Sequence, residues 1–354
     1  VSEWDQNFFT VFVSLRNSIY KDQHSFIPES IEQVRLELSE SSFLASLWLD
    51  NDTPVARVIL FWSMEKCYFG YFEILESMQL NQDIINWIEI EAKKKQATQI
   101  KGPIQANFFV SYRFKLNGEF KFYGEPYHQN FYPDYFLKND FIIEKKWHTY
   151  LLDQEKAKLN YNEIHTRHVK KKGRTNSNIK VKFITPWRFK VYLDHCFYLF
   201  HNSYKNMPEF TPVSYEKFCK LYAGFNLIVN PFFSYLVFWQ NKAVAFNINF
   251  FDPLPLIANY QKGPSTLLRK LKLLIQIKLN NKNLMINYVG KDPEIDGRVK
   301  GIQSIVAKYI YFFCKVLRVK NVYYGYVAED SPSLKSFGDT IKPVCEYAIV
   351  IKTL

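Results

Sequence analysis

Between Leu284 and Lys308 the sequence sets a glycine-bearing turn between an apolar run and a run with helical spacing. Leu284-Met285-Ile286-Asn287-Tyr288-Val289 has the residue types of a buried strand. It leads through Gly290 to Gly297 into Arg298-Val299-Lys300-Gly301-Ile302-Gln303. Ile302, Ile305, Val306, Tyr309, Phe313, Val316 and Leu317 then recur on one face of a helix. A turn that enters a helix leaves several backbone N–H groups unpaired at the positive end of the helix dipole, which suits a pyrophosphate. Gly301 lets the backbone come close to such a ligand.

Such a turn needs a sheet to hold it, and the rest of the chain supplies one twice. The first half reads as a helix over Phe8 to Tyr20, strands at Phe43 to Leu49, Val55 to Trp62 and Cys67 to Leu75, then a helix from Gln82 to Lys95 with Ile84, Ile85, Ile88 and Ala92 on one face. A strand at Thr98 to Gly102, a helix at Pro133 to Asn139 and a strand at Glu144 to Leu152 close the unit. After Asp153 apolar periodicity is lost until Ile179. The order then repeats: strand Val181 to Ile184, helices Arg188 to Tyr204 and Ser214 to Ala223, strands Ser234 to Trp239 and Val244 to Phe250. A basic helix at Thr266 to Leu279, the Leu284 strand, the Ile302 helix and strands at Asn321 to Val327 and Tyr347 to Ile351 follow. The expected architecture is α/β, with two tandem domains at 1–155 and 179–354 joined by a basic linker at 156–178. Each domain is a mixed, mostly antiparallel sheet flanked by helices.

Composition agrees with packed domains. Of 354 residues 47% are hydrophobic and 18% aromatic, ample material for cores. No apolar run approaches the roughly 18 to 20 residues of a membrane span and no signal-like start is present, so a cytoplasmic protein is expected. The five cysteines are odd in number and widely spaced, with no C-x-x-C pair, which points to buried reduced thiols and no metal site. The net charge of +12 favours an anionic partner, and it is uneven. Acid-free stretches run from Glu163 to Asp194 and from Asp252 to Asp292, with basic residues throughout both; solvated faces would read the same way.

Arg298-x-x-Gly301, after a strand and before an amphipathic helix, resembles the acyl-CoA loop of the GCN5-related N-acetyltransferase superfamily. That pattern ends in Gly or Ala where this chain has Gln303. Ser18-Ile19-Tyr20-Lys21-Asp22 with Phe26-Ile27-Pro28, Tyr68-Phe69-Gly70-Tyr71-Phe72-Glu73, and Lys101-Gly102-Pro103 are similar to a bacterial tandem group of that superfamily, the YghO-like group. Asn202-Ser203-Tyr204 with Phe210-Thr211-Pro212 resembles its second half. The resemblance implies an acyl-CoA or phosphopantetheine-linked donor held by Val289, Gly290, Arg298, Val299, Lys300, Gly301, Ile302 and Gln303. The backbone N–H of Val289 or Gly290 would donate to the thioester carbonyl. The first half has neither glycine nor a basic residue between Glu73 and Gln82, so it is expected to be degenerate for the cofactor.

Acyl transfer to an amine needs an unprotonated amine and an acid for the leaving thiolate. Relatives use a tyrosine at the position matching Phe337, after Asp330 and Ser333, and phenylalanine gives no proton. As bases the candidates are Asp252, Glu73 and His201, with His128 beside them; an ordinary hydrogen-bonded role stands against each. The acceptor expected is an amine-bearing small molecule or peptide in a cleft between the halves. An acidic acyl carrier protein would match the basic Thr266 to Leu279 helix. Two alternatives stay open: a transferase using aminoacyl-tRNA, whose phosphates the basic stretches could follow, and a non-catalytic binding module.

Overall fold

The structure, a computed structural model, describes the chain apart from residues 77, 154, 157, 159–161, 163–178, 208–209, 262–263, 281, 296–297, 300, 332–333 and 335–340. The first half opens with helices α1 (Gln6–Tyr20) and α2 (Ile31–Leu38), whose first turns are capped by the side chains of Asp5 and Ser30. Strands β1 (Phe43–Asp50), β2 (Thr53–Ser63) and β3 (Lys66–Ile74) form an antiparallel meander. Helix α3 (Met78–Lys94) then crosses to β4 (Gln99–Gly102). Three short strands follow, β5 (Ile104–Gln105), β6 (Ser111–Tyr112) and β7 (Phe114–Asn117), before α4 (Tyr132–Leu137) and β8 (Ile142–Asp153).

The second half repeats the plan. It runs β9 (Ile179–Phe183), α5 (Phe189–Tyr204), α6 (Tyr215–Leu221), α7 (Phe225–Ile228), β10 (Tyr235–Trp239) and β11 (Lys242–Phe251). Helices α8 (Leu254–Gln261) and α9 (Leu267–Leu279), β12 (Asn283–Lys291), α10 (Ile302–Val316), β13 (Asn321–Ala328) and β14 (Pro343–Thr353) complete it.

The halves share one sheet. Its order is β1-β2-β3-β4-β14-β8-β13-β12-β11-β10-β9, with β7 continuing the edge of β14 beyond β4. The last strand of each half lies against the other: Val350 of β14 pairs with Gly102, and Leu152 of β8 with Val322. Between them β14 and β8 pair from Ile351–Ile142 to Pro343–Tyr150. All pairings are antiparallel except β3 with β4 and β12 with β13, each of which brackets a crossover helix as a parallel pair must.

Continuous apolar strands are explained by helices on both faces. Along β2, Ala56, Val58 and Leu60 meet Ile84, Ile88 and Phe136 of α3 and α4, while Ile59 and Phe61 meet Phe9, Phe12 and Val34 of α1 and α2. In the second half Leu236, Phe246 and Ile248 face Cys196 and Phe200 of α5, and Tyr235, Val237 and Val244 face Ile302 and Val306 at the start of α10. The halves also touch through side chains. Phe109, between β5 and β6, packs among Phe200, Phe210 and Phe218. Lys217 of α6 donates to the carbonyls of Glu37 and Ser39. Among the described residues no helix is long and apolar enough to cross a membrane.

Candidate functional site

Strands β12 and β13 separate beyond Ile286 and Tyr324, although β12 continues to Lys291 and β13 to Ala328. Two bulges drive them apart. Against β11, Ile248 pairs with Tyr288 and Asn249 with Ile286, so Asn287 is an extra residue in β12. Against β8, pairing passes from Tyr324–Tyr150 to Val327–His148, and in the extra turn of β13 Tyr326 has φ 56°. The side chain of Asn287 spans the start of the gap: a Cβ on Gly325 would lie 2.1 Å from its Oδ1. That Oδ1 is buried without a hydrogen-bond partner among the described residues.

The edge of β12 that faces the gap can be identified. The Asp292 N–H donates to Val244 O of β11 at 2.9 Å. Antiparallel pairing alternates, so Gly290 also turns its N–H to β11 while Val289 and Lys291 turn theirs to the gap. Of the two expected carbonyl donors, then, only Val289 presents its N–H there. The end of α5 lies along the same edge. Tyr204 Oη donates to Val289 O at 2.9 Å and Ser203 Oγ to Lys291 O at 3.0 Å. Gly290 is what permits this approach, since a Cβ there would stand 2.2 Å from the Phe246 ring.

Beyond β12 the turn is anchored from below. Asp292 is fully buried, accepts from the Glu294 N–H at 3.1 Å and Tyr198 Oη at 3.4 Å, and lies 3.3 Å from Lys242 Nζ. Val299 and Ile302 are buried, whereas Arg298 is exposed. Gly301 is the cap of α10 with φ 92°, a conformation that favours glycine, and the first turn carries no acidic residue. Among the described residues no side chain caps the first turn of α10, and Val299 and Ile302 seat it on Tyr235, Val237 and Val244. Lys300 lies outside the described residues, as do the side chain of Gln303 and the acid position at Phe337 with Ser333.

The three base candidates stand in three different settings. Asp252 follows β11 and its N–H bonds to Asn283 O, at the start of β12. Six strand residues separate Asn283 from Val289, about 20 Å. Its Oδ1 accepts from the backbone N–H of Tyr123 and Leu254, Oδ2 has no partner among the described residues, and burial pushes the carboxyl up to about 6. Between the ordinary value of 3.8 and about 6 the unfolded chain loses this proton while the fold keeps it. Stability is thus greatest below that window and falls as pH rises through it. Asp252→Asn is expected to gain about 1–2 kcal/mol in denaturant unfolding near neutral pH and nothing near pH 4; an equal gain at both would contradict this origin.

His201, on α5, bonds through Nδ1 to Phe197 O at 3.0 Å and lies among Phe109, Phe197 and Phe210. Glu73 is fully buried at the end of β3. It accepts from Arg16 Nη1 at 2.7 Å, Tyr20 Oη at 2.6 Å and Tyr132 Oη at 3.0 Å, with Arg57 Nη2 4.0 Å away. Burial raises its pKa, opposed by the two guanidinium groups and the two hydroxyls.

No protein-family model matches the chain, and no curated protein matches its sequence. Solved structures do resemble it. A GCN5-related N-acetyltransferase from Sphaerobacter thermophilus covers 97% of this chain and 91% of its own at TM-score 0.46 and 10% identity. A tandem GNAT protein from the clavulanic acid biosynthesis pathway covers 100% and 97% at 0.49 and 8%. A conserved Enterococcus faecalis protein described as a probable N-acyltransferase covers 99% and 71% at 0.51 and 9%. The chain shares the fold of that Enterococcus faecalis protein, here a mixed, mostly antiparallel sheet flanked by helices.

Within this fold the two halves differ at the gap. In the first half β3 also carries an extra residue opposite β2, where Tyr71 has φ 53°, and β3 leaves β4 after Tyr68. There, however, β5 crosses so closely that a Cβ on Gly70 would lie 2.1 Å from Ile104 O, and Glu73 with its partners occupies the edge. Tyr20 and Tyr204 are counterparts, each ending a helix and reaching the strand just past the bulge. The sequence did hold a signal for this: Tyr-Lys-x4-Phe-x-Pro-x-Ser-x-Glu occurs at Tyr20 to Glu32 and again at Tyr204 to Glu216.

Proposed function

We propose that the chain is an N-acyltransferase whose second half binds an acyl thioester in the gap between β12 and β13. The observation that carries this reading is that β12, whose pairing with β13 stops at Ile286, leads through one turn into the glycine-capped helix α10. Arg298 and the backbone from Gly301 onward would hold the pyrophosphate of CoA, and Val289 would present its N–H to the thioester carbonyl. The unpartnered Asn287 Oδ1 is an acceptor for an amide N–H of the pantetheine arm. CoA or a carrier protein would supply the activated acyl group; the chain's own groups orient it and supply the proton. Tyr204 is the acid we assign, because it sits on the Val289 edge and burial, together with Tyr112 and Tyr288, raises its pKa. The acceptor amine would enter from the face where the first half packs against α5.

Helix α9 supports a carrier protein as one form of donor. Lys270 and Lys272 are exposed beside exposed Leu268, Leu271 and Ile275, a basic and apolar surface for an acidic partner. The test is thermal unfolding with CoA, acetyl-CoA and holo carrier protein. CoA is expected to raise the melting temperature, and Arg298→Glu to weaken its binding at least about tenfold. Salt-dependent tRNA binding without a CoA effect would overturn the proposal in favour of aminoacyl-tRNA.

A further inference from the structure

Arg113 is 3% exposed, yet among the described residues it has no ion-pair partner and its Nε has no hydrogen bond. Its neighbours are compensated: Arg16 pairs with Glu73, and Lys115 with Glu125 at 3.0 Å. The rings of Tyr112, Tyr326 and Trp147 offset part of the cost of burying this charge, and what it lacks among the described residues is a counter-ion. The backbone is also held at φ 90°, a conformation that an arginine rarely adopts.

The geometry limits what the ligand can be. The guanidinium carbon lies 3.6 Å from the Tyr112 ring centroid and 3.8 Å from that of Tyr326. Both faces of the planar group are covered, so its N–H groups are available only at the edge, which matches a planar carboxylate bidentately. Arg113 lines a cavity with Glu73, Gln105, Ser111, Tyr127 and His128. Its volume of ≈ 30 Å³ admits a group of carboxylate size, with the remainder of a ligand outside. Tyr326, on a face of the guanidinium, belongs to β13 beyond its last pairing with β12, whereas the cavity itself is lined by residues of the first half.

We infer that Arg113 binds a carboxylate, and that the acyl acceptor is an amine carrying one, such as an amino acid or the end of a peptide. The assignment to the acceptor rests on the acyl-transfer reading; the carboxylate site itself does not. The test is calorimetric titration of the full chain, without acyl donor, with acetate, a panel of amino acids and inorganic phosphate. Carboxylates are expected to bind, and amino acids more tightly than acetate or phosphate. Arg113→Met should weaken that binding at least about thirtyfold without lowering the melting temperature of the free protein. Should that variant not fold, Arg113→Lys keeps the charge, loses the fork and should bind several-fold more weakly. Phosphate binding as tightly as any carboxylate, no carboxylate binding at all, or unchanged binding in both variants would overturn the inference. CoA stabilisation, measured separately, should survive both changes; its absence would count against the acyl-transfer reading and leave the carboxylate result standing.

Discussion

Glu73→Ala is expected to destabilise the protein by about 3–5 kcal/mol, the range for breaking a buried ion pair on one side. The carboxylate is fully buried and accepts three hydrogen bonds, from Arg16, Tyr20 and Tyr132. Removing it leaves the Arg16 guanidinium with the carbonyl of Tyr127, at 2.9 Å, and the rings of Tyr20 and Phe26, and removes one of the two carboxylates near Arg57 among the described residues. Glu29 still holds Arg57 at 2.6 Å, so the loss concentrates on Arg16 and the two tyrosines. Glu73→Gln keeps an acceptor for those donors and should cost about half as much. Denaturant midpoints of the three proteins at neutral pH provide the check. If both variants matched the wild type, Glu73 would not be the plug of the first half's gap. Such a cost fits the proposal that the second half, with the same bulged strand, is the one to bind a thioester.

Most elements were legible because the apolar spacing is strong. The run Val55 to Trp62 is an uninterrupted strand signal, and Ile302 to Leu317 places its apolar residues on one helical face. Both form where expected, within the few residues by which element ends are uncertain. The short strands β5 to β7 were not legible, since two to four residues carry no period; β7 forms on the edge that β14 offers beyond β4, while β5 and β6 pair with each other as a separate two-stranded sheet. Nor could periodicity reveal that β8 and β14 exchange places. Pairing partners far apart in sequence are decided by which edge is free, not by the strand's own residues. At the site, Gly301 was readable because only a glycine suits its φ, and the turn is local. Arg113 was not, for it reads as one more cation in a basic chain until its rings and its missing counter-ion are seen together. Tyr204 stood in between: its repeated motif was visible, but its role depends on where the Val289 edge lies.

The bulges in both halves suggest why one fold could keep two different interiors. Each extra residue breaks main-chain pairing and leaves a strand edge that something must satisfy. In the first half the Ile74 N–H donates to Tyr132 Oη at 2.8 Å, and Glu73 with its three side-chain partners fills the space beside the strand. In the second half α5 satisfies the carbonyls of Val289 and Lys291 by side chains alone, which leaves the Val289 N–H facing the gap. A short change of partners, rather than a change of fold, separates the two halves at this edge.

Tyr204→Phe follows from that difference and separates chemistry from architecture. The hydroxyl makes one hydrogen bond, to a main-chain carbonyl at a half-buried edge, so its loss should cost about 1 kcal/mol or less. As the acid for the departing thiolate it should matter far more, lowering kcat about 100-fold or more while CoA affinity changes little. Burial raises its pKa, so the wild-type hydroxyl stays protonated throughout the neutral range and no loss of rate there should trace to its ionisation. Tyr20→Phe is the matched control, because the counterpart hydroxyl donates to Glu73 and not to a strand edge at an open gap. It should lower stability by about 1–3 kcal/mol and leave the rate per folded molecule unchanged. Release of free thiol from acetyl-CoA, with an amino acid that binds at Arg113 as acceptor, measures both variants. A Tyr204→Phe protein with the wild-type rate would remove Tyr204 from the chemistry, and the leaving thiolate would then have to take its proton from water.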